Sequence, residues 1–265
     1  MKPDKKLGQH FLRDADVLEE IAALTDIEHS AGALEIGPGE GALTAFLARA
    51  GRPLVAIDRD PRAKIALQDR LGDKVHVVLG DALDADLEAL LPKATSEHLP
   101  VIAGNLPYNV GTAIYRRLLK LNGRVSRIVL MLQREVAHRI AASHGSKNYG
   151  VLSVLTTLTA RAMLVRDVPP EAFFPPPKVH SSVLYVDFPK EPRLGGDEHD
   201  AFARFVGRFF QMRRKKISKV LTDPNVLEEF GIDPSQRPES VPAETYFALF
   251  RKGVLSGGDD DPVDD

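Results

Sequence analysis

Short apolar runs alternate with amphipathic segments along the first half of the chain. The apolar runs predict buried strands, and the segments between them repeat apolar residues at helical spacing. The predicted strands are 33–37, 54–57, 75–79, 99–103 and 128–132, and the predicted helices are 43–47, 62–71, 84–91, 113–121 and 134–142, after a first helix that ends near Leu24. Five strand–helix repeats indicate a parallel, doubly wound sheet with right-handed crossovers. We therefore predict an α/β fold.

The pattern changes after residue 142. A helix is predicted over 149–157, and strands are predicted over 162–168 and 179–188. A proline-rich loop joins these two strands, which favours an antiparallel pair at the edge of the sheet.

A segment rich in proline and glycine, 189–197, separates this part from a region with helical periodicity. The helices predicted there are 201–221, 226–230 and 243–250. The domains that we expect are 1–188 and a small all-helical domain over 197–256, followed by a disordered acidic tail over 257–265.

Glycines or polar side chains follow four predicted strands of the sheet. They are Gly37-Pro38-Gly39-Glu40-Gly41, Asp58, Asp81 and Asn105. Parallel strands end at the same edge of a sheet, where ligands of such folds bind. Glycines let a ligand approach the backbone, Asp58 can accept hydrogen bonds from a ribose, and Asp81 can accept from an adenine amino group. We therefore predict a site for an adenosine-containing cofactor.

The glycine spacing favours a cofactor without phosphates. The loop is G-x-G-x-G rather than the G-x-G-x-x-G that cradles a pyrophosphate, and Glu40 within it would repel one. S-adenosylmethionine carries adenine, ribose and a cationic sulfonium, which acidic groups tolerate. This cofactor is favoured over a nicotinamide dinucleotide.

The tetrapeptide Asn105-Leu106-Pro107-Tyr108 follows the fourth strand. Asn offers a carbonyl acceptor, Pro stiffens the backbone, and Tyr offers a flat ring, so the motif can hold an aromatic amine. A proline turn with Asn as a turn residue is the alternative.

Composition excludes several classes of function. The 265 residues include no cysteine, which excludes disulfides, thiol catalysis and cysteine-ligated zinc. No apolar run approaches the ~18 residues of a membrane helix, and the N-terminus lacks the apolar segment of a signal peptide. We expect a cytoplasmic protein that binds neither a metal nor a membrane.

The net charge of the whole chain is −2, but the chain without its last ten residues is positively charged. The last ten residues carry five Asp, and removing those five charges from −2 leaves +3 for the remainder. Basic residues cluster between Arg204 and Lys219, which permits an RNA partner. A solvated helix face is the alternative explanation.

Five motifs together carry a resemblance to a known family. They are Leu7-Gly8-Gln9-His10-Phe11-Leu12, Glu35-Ile36-Gly37-Pro38-Gly39-Glu40-Gly41-Ala42-Leu43-Thr44, Gly80-Asp81-Ala82, Asn105-Leu106-Pro107-Tyr108-Asn109 and Phe173-Phe174-Pro175-Pro176-Pro177-Lys178-Val179-His180-Ser181. In this combination the chain, from about Lys5 to Phe250, resembles the rRNA adenine N6-dimethyltransferases of the KsgA/RsmA family, which modify small-subunit rRNA.

The resemblance implies a Rossmann-like class I methyltransferase sheet with a helical C-terminal domain and S-adenosylmethionine as methyl donor. The residues that would bind the cofactor are His10, Leu12, Gly37, Asp58, Asp81 and Asn105. Two residues depart from the family pattern. Asp58 stands where the family has Glu, which makes Asp60 a rival for the ribose, and His180 stands where an Asp is common.

The same resemblance assigns the chemistry. Asn105 and the carbonyl of Leu106 would accept the two N–H groups of the target adenine, and Tyr108 would stack on its ring. Phe173 would hold the other face, and Arg213-Arg214-Lys215 would belong to a basic helix that grips RNA.

The implied substrate is a pair of adjacent adenosines in the 3′-terminal hairpin loop of 16S rRNA, within an immature small ribosomal subunit. We expect a monomer. Two alternatives are a 23S rRNA dimethyltransferase of the macrolide-resistance type and a non-catalytic RNA-binding assembly factor.

Overall fold

The protein, studied as a computed structural model, is described at residues 3–4 and 8–255. Leu7 of the first motif and the acidic tail lie outside these residues. The chain divides into a sheet unit, Met1–Ala137 with Arg161–Glu191, and a helical unit, His138–Ala160 with Pro192–Asp265. The division differs from the expected one in that His138–Ala160 groups with the C-terminal helices.

The sheet unit contains a seven-stranded sheet and a two-stranded one. The strands are β1 (Phe11–Leu12), β2 (Ala33–Ile36), β3 (Leu54–Asp58), β4 (His76–Leu79), β5 (Val101–Asn105), β6 (Arg127–Gln133), β7 (Arg161–Val168), β8 (Phe173–Phe174) and β9 (Ser181–Asp187). The large sheet has the order β4-β3-β2-β5-β6-β9-β7, and β1 pairs with β8. Strands β2 to β6 run parallel, whereas β9 is antiparallel to β6 and β7. The predicted α/β fold with an antiparallel edge is confirmed.

The helices of the sheet unit follow the predicted alternation, with one exception. They are α1 (Ala15–Thr25), α2 (Ala42–Leu47), α3 (Pro61–Leu71) and α4 (Gly111–Leu119), and the chain passes to the helical unit within α5 (Arg134–Ile140). Strands β2 and β5 are buried almost throughout, as expected for parallel strands covered on both faces. This burial explains why they appear as continuous apolar runs in the sequence.

The helix predicted over 84–91 is wrong. The segment forms turns instead, because Asp81 and Asp86 accept hydrogen bonds from backbone N–H groups two or three residues later. Arg117 of α4 then fixes the first of these turns by donating to the carbonyls of Ala82 and Ala85, each at 2.7 Å.

The helical unit is built around α6, which packs against α7 and α9. Its helices are α6 (Val151–Thr159), α7 (His199–Gln211), α8 (Pro224–Glu229) and α9 (Ala243–Arg251). The single helix predicted over 201–221 ends early, at Gln211. Ile217 is fully buried and its N–H donates to the carbonyl of Gln236 at 2.7 Å, which draws this part of the chain out of the helical path. No helix among residues 3–4 and 8–255 is long and apolar enough to cross a membrane.

Candidate active site at the carboxyl edge of the sheet

The glycine-rich loop after β2 is shaped by three left-handed glycines. Gly37 has φ +68°, Gly39 has φ +55° and Gly41 has φ +77°. A Cβ on Gly39 would lie 2.8 Å from the ring of Phe11, so no larger residue fits without moving that ring. The N–H of Gly39 donates to Oδ2 of Asp58 at 3.0 Å, which ties the loop to the end of β3.

Asp58 and Asp60 have different environments. Asp58 is buried, and its Oδ1 accepts from the N–H of Asp60 at 2.8 Å. Burial raises the pKa of the Asp58 carboxyl, while its backbone hydrogen bonds oppose the shift. Asp60 instead faces Arg62, which it contacts at 2.6 Å, and Gln9, which donates at 2.9 Å. Asp58 is therefore the carboxylate bound directly to the glycine-rich loop.

The Asp60 ion pair predicts an acid-labile contribution to stability. Hydrogen bonds from Arg62 lower the pKa of Asp60 to about 2. A lowered pKa in the folded state stabilises the protein above the unfolded-state pKa, and the gain disappears as the pH falls from about 4 to about 2. Asp60→Asn should therefore lower the free energy of unfolding by about 1–2 kcal/mol near neutral pH, with a smaller loss below about pH 4. Urea unfolding measures this difference, with the exposed Asp73→Asn as control; a loss independent of pH would contradict the assignment.

Glu35 of β2 is a buried acid to which the sequence assigned no role. Burial raises the pKa of its carboxyl to about 8, and the nearby charge of Asp58 adds to the shift. The side chain of Glu35 therefore favours its neutral form near pH 7. The sequence signal that could have drawn attention to Glu35 is an acidic residue inside an otherwise apolar strand.

The motif after β5 is held by the N-terminal segment. Asn105 donates from Nδ2 to the carbonyl of His10 at 2.9 Å. The His10 ring stacks on Tyr108, with centroids 5.3 Å apart and planes 24° apart, and its Nδ1 donates to the carbonyl of Pro175 at 2.7 Å. Because Nδ2 is engaged, the amide orientation of Asn105 is fixed and Oδ1 is left as its acceptor.

Leu106 and Tyr108 are also fixed by hydrogen bonds. Leu106 is buried, and its N–H donates to the carbonyl of Met131 at 3.1 Å. The hydroxyl of Tyr108 lies 2.6 Å from Oγ of Ser181. Burial raises the pKa of the Tyr108 phenol, so the ring stays neutral. A neutral aromatic ring in a fixed position is suited to stacking.

The other expected residues make separate contacts. Asp81 is half-buried, accepts from the N–H of Leu83 at 2.9 Å and lies 3.5 Å from Arg59. Leu12 and Phe173 are paired between β1 and β8 and belong to the hydrophobic core, where Phe173 is 4 % exposed. The role of Phe173 in holding a base therefore stays a prediction.

The run Arg213-Arg214-Lys215 contains two kinds of basic residue. Arg213 is half-buried, donates to the carbonyl of Lys147 and lies 3.8 Å from Glu239. Arg214 and Lys215 are exposed and lie in the turns that follow α7, not on a helix. Arg204 and Arg208 lie on α7, but the run Arg213-Arg214-Lys215 is a basic turn rather than part of a helix, and Arg213 has a structural role in it.

Comparison with known proteins identifies the family. The family model for ribosomal RNA adenine dimethylase matches residues 1–252. The chain belongs to this family. It is an S-adenosylmethionine-dependent rRNA adenine dimethyltransferase, as the five sequence motifs implied.

The relatives of this dimethylase cover nearly its whole length. Ribosomal RNA small subunit methyltransferase A of Syntrophotalea carbinolica is 42% identical over 258 residues, which cover 94% of this chain and 96% of the relative. The protein of the same name from Geobacter sulfurreducens is 42% identical over 269 residues, covering 96% of each chain.

Solved structures of similar fold include two methyltransferases. The 23S rRNA methyltransferase ErmE has a TM-score of 0.69 and 25% identity, covering 91% of this dimethylase and 98% of the ErmE chain. A dimethyladenosine transferase from Plasmodium falciparum has a TM-score of 0.76 and 22% identity, covering 94% and 98%. The Rossmann-like methyltransferase fold is thereby confirmed.

Proposed function

We propose that this dimethylase transfers methyl groups from S-adenosylmethionine to N6 of two adjacent adenosines in the 3′-terminal hairpin loop of 16S rRNA, in an immature small ribosomal subunit. The observation that carries the proposal is the fixed orientation of Asn105, whose Nδ2 donates to His10 and whose Oδ1 remains for an adenine amino group. The small-subunit methyltransferases at 42% identity favour 16S rRNA over 23S rRNA. We expect the enzyme to act as a cytoplasmic monomer.

The residues at the sheet edge fit S-adenosylmethionine. Two oxygens of Asp58 accept one backbone N–H each, and a carboxylate has about four acceptor positions, so ribose hydroxyls can also be bound. Asp81 would accept from the adenine amino group, and Gly37, where a Cβ would point toward the carbonyl of Asn105 at 3.7 Å, would face the methionine part. His10 and Leu12 would line the pocket from the N-terminal segment. The bound cofactor supplies a methyl group activated by a sulfonium.

The adenine N6 is a poor nucleophile because its lone pair is delocalised into the ring. We expect Oδ1 of Asn105 and the carbonyl of Leu106 to accept its two N–H groups, which localises the lone pair on nitrogen. Tyr108 would stack on the base, which must leave its own stack to enter the site. Positioning and electrostatics then supply the rate, without a covalent intermediate.

The basic turn after α7 provides a test of RNA binding. Replacing the exposed Arg214, Lys215 and Lys216 with alanine should weaken RNA binding and make its salt dependence shallower by about 2 in log–log slope, since each lost phosphate contact contributes roughly 0.7–0.9. Filter binding at several salt concentrations measures the slope.

The control for this variant removes the same charge elsewhere. Lys64, Lys74 and Lys93 are exposed in the sheet unit, and their triple alanine variant should leave the slope nearly unchanged. Equal slopes for the two triple variants would indicate that the basic turn is a solvated surface that does not contact RNA.

The activity itself is tested with labelled S-adenosylmethionine. Immature small subunits, naked 16S rRNA and naked 23S rRNA are each incubated with the protein, and the modified bases are mapped. We expect two adjacent N6-dimethyladenosines in 16S rRNA, formed best in the particle. Label in 23S rRNA alone would indicate the macrolide-resistance type, and binding without label would indicate an assembly factor.

A further inference from the structure

One aromatic ring at the margin of the site is exposed. Phe174 is 47 % exposed, whereas its neighbour Phe173 is 4 % exposed. Pairing of β8 with β1 places Phe174 opposite Phe11, the residue whose ring lies against Gly39 of the glycine-rich loop. The exposed ring is therefore held by the same short sheet that covers this loop.

A cation lies against this ring. The guanidinium carbon of Arg13 is 4.4 Å from the ring centroid of Phe174, and the Arg13 side chain is 57 % exposed. The N–H of Arg13 donates to the carbonyl of Ala172 at 2.8 Å, which fixes its backbone next to β8. Glu40 lies 3.8 Å away and balances part of the charge. An exposed arginine stacked on an exposed aromatic ring offers both a platform for a base and a charge for a phosphate.

The ring is connected to Asn105 by consecutive contacts. Phe174 precedes Pro175, whose carbonyl accepts from Nδ1 of His10, and the carbonyl of His10 accepts from Asn105. The neighbouring Lys178 is exposed and adds positive charge to the loop. A strand of RNA whose adenosine is bound at Asn105 thus has an aromatic and cationic surface beside it.

We propose that Phe174 and Arg13 form a stacking subsite for a nucleotide that flanks the target adenosine. The flanking base stacks on the open part of the Phe174 ring, and Arg13 braces the ring and contacts a phosphate of the RNA. The subsite rests on the proposed function, since it requires an RNA substrate. It acts on substrate binding and leaves methyl transfer to Asn105 and Tyr108.

The test measures methylation of immature small subunits by four variants. Phe174→Ala should raise KM for the particle by about 5- to 150-fold, the range for the loss of one base–aromatic stack. It should leave kcat, the Kd for S-adenosylmethionine and the Tm close to those of the wild type. Phe174→Trp, which keeps a stacking surface, should retain a KM near that of the wild type, a rescue that a purely structural role does not predict.

Arginine variants complete the experiment. Arg13→Ala should raise KM, whereas Arg49→Ala should not, although Arg49 stacks on Phe46 in the same way at 4.2 Å. A KM for Phe174→Ala within twofold of the wild type, or no rescue by Phe174→Trp, overturns the subsite. If the wild type labels no RNA, the proposed function fails, whereas normal methylation by both wild type and Phe174→Ala refutes the subsite alone.

Discussion

Replacing Asn105 with alanine is expected to lower the rate of methyl transfer by at least about 100-fold, as for other fixed polar groups aimed at a reacting centre. The variant loses Oδ1, the proposed acceptor for the adenine amino group, and it loses the hydrogen bond to His10 that orients this oxygen. Most of the proposed cofactor contacts are assigned to other residues, so binding of S-adenosylmethionine should persist. Single-turnover methylation with labelled donor measures the rate, and calorimetry measures cofactor binding.

Asn109 provides a matched control for this variant. It is exposed four residues further along the same loop, and Asn109→Ala should methylate at nearly the rate of the wild type. Asn105→Asp separates the two roles of the amide. As a carboxylate, the new side chain keeps an acceptor oxygen but cannot donate a hydrogen bond to the carbonyl of His10. We expect an intermediate rate for it. Near-normal turnover by Asn105→Ala would remove Asn105 from the chemistry.

Gly39→Ala is expected to weaken the binding of S-adenosylmethionine by more than about tenfold. A left-handed backbone costs an alanine roughly 1–2 kcal/mol, which lowers the stability of the fold. The added Cβ would also lie 2.8 Å from Phe11, so that either the loop or the N-terminal segment must move. Both elements line the proposed cofactor site. Isothermal calorimetry gives the affinity, and thermal unfolding gives the accompanying loss of stability.

Gly51 allows the two effects to be separated. It also has a left-handed backbone, with φ +64°, but a Cβ there would meet no atom within 4 Å. Gly51→Ala should therefore lose stability through strain alone and keep its affinity for S-adenosylmethionine. Equal affinities for the two alanine variants would show that the contact with Phe11 does not matter for the loop.

The parts of the fold that the sequence predicted are those governed by local burial. The central strands are covered on both faces, so their apolar runs are continuous and their ends could be read to within two residues. Asp58 and Asn105 end β3 and β5 as predicted, so these two candidate residues lie at the same edge of the sheet.

The features that the sequence did not predict depend on contacts between distant residues. The end of α7 is set in part by the burial of Ile217 and its bond to Gln236. The hydrogen bond between Asn105 and His10 joins residues 95 positions apart. The different exposure of Phe173 and Phe174 follows from the pairing of β8 with β1, which no local pattern reveals. His10 and Leu12 were proposed from family resemblance, since their own spacing carries no chemical signal.

The helical unit is assembled from two separate stretches of chain, because α6 lies between β6 and β7 in sequence while its packing partners α7 and α9 follow the linker. A protein truncated at the linker would keep α6 but lose α7 and α9, the two helices that pack against it. The helical unit therefore cannot be removed or exchanged as one contiguous cassette. A chimaera with a related enzyme needs three junctions: one before α6, one after α6 and one at the linker.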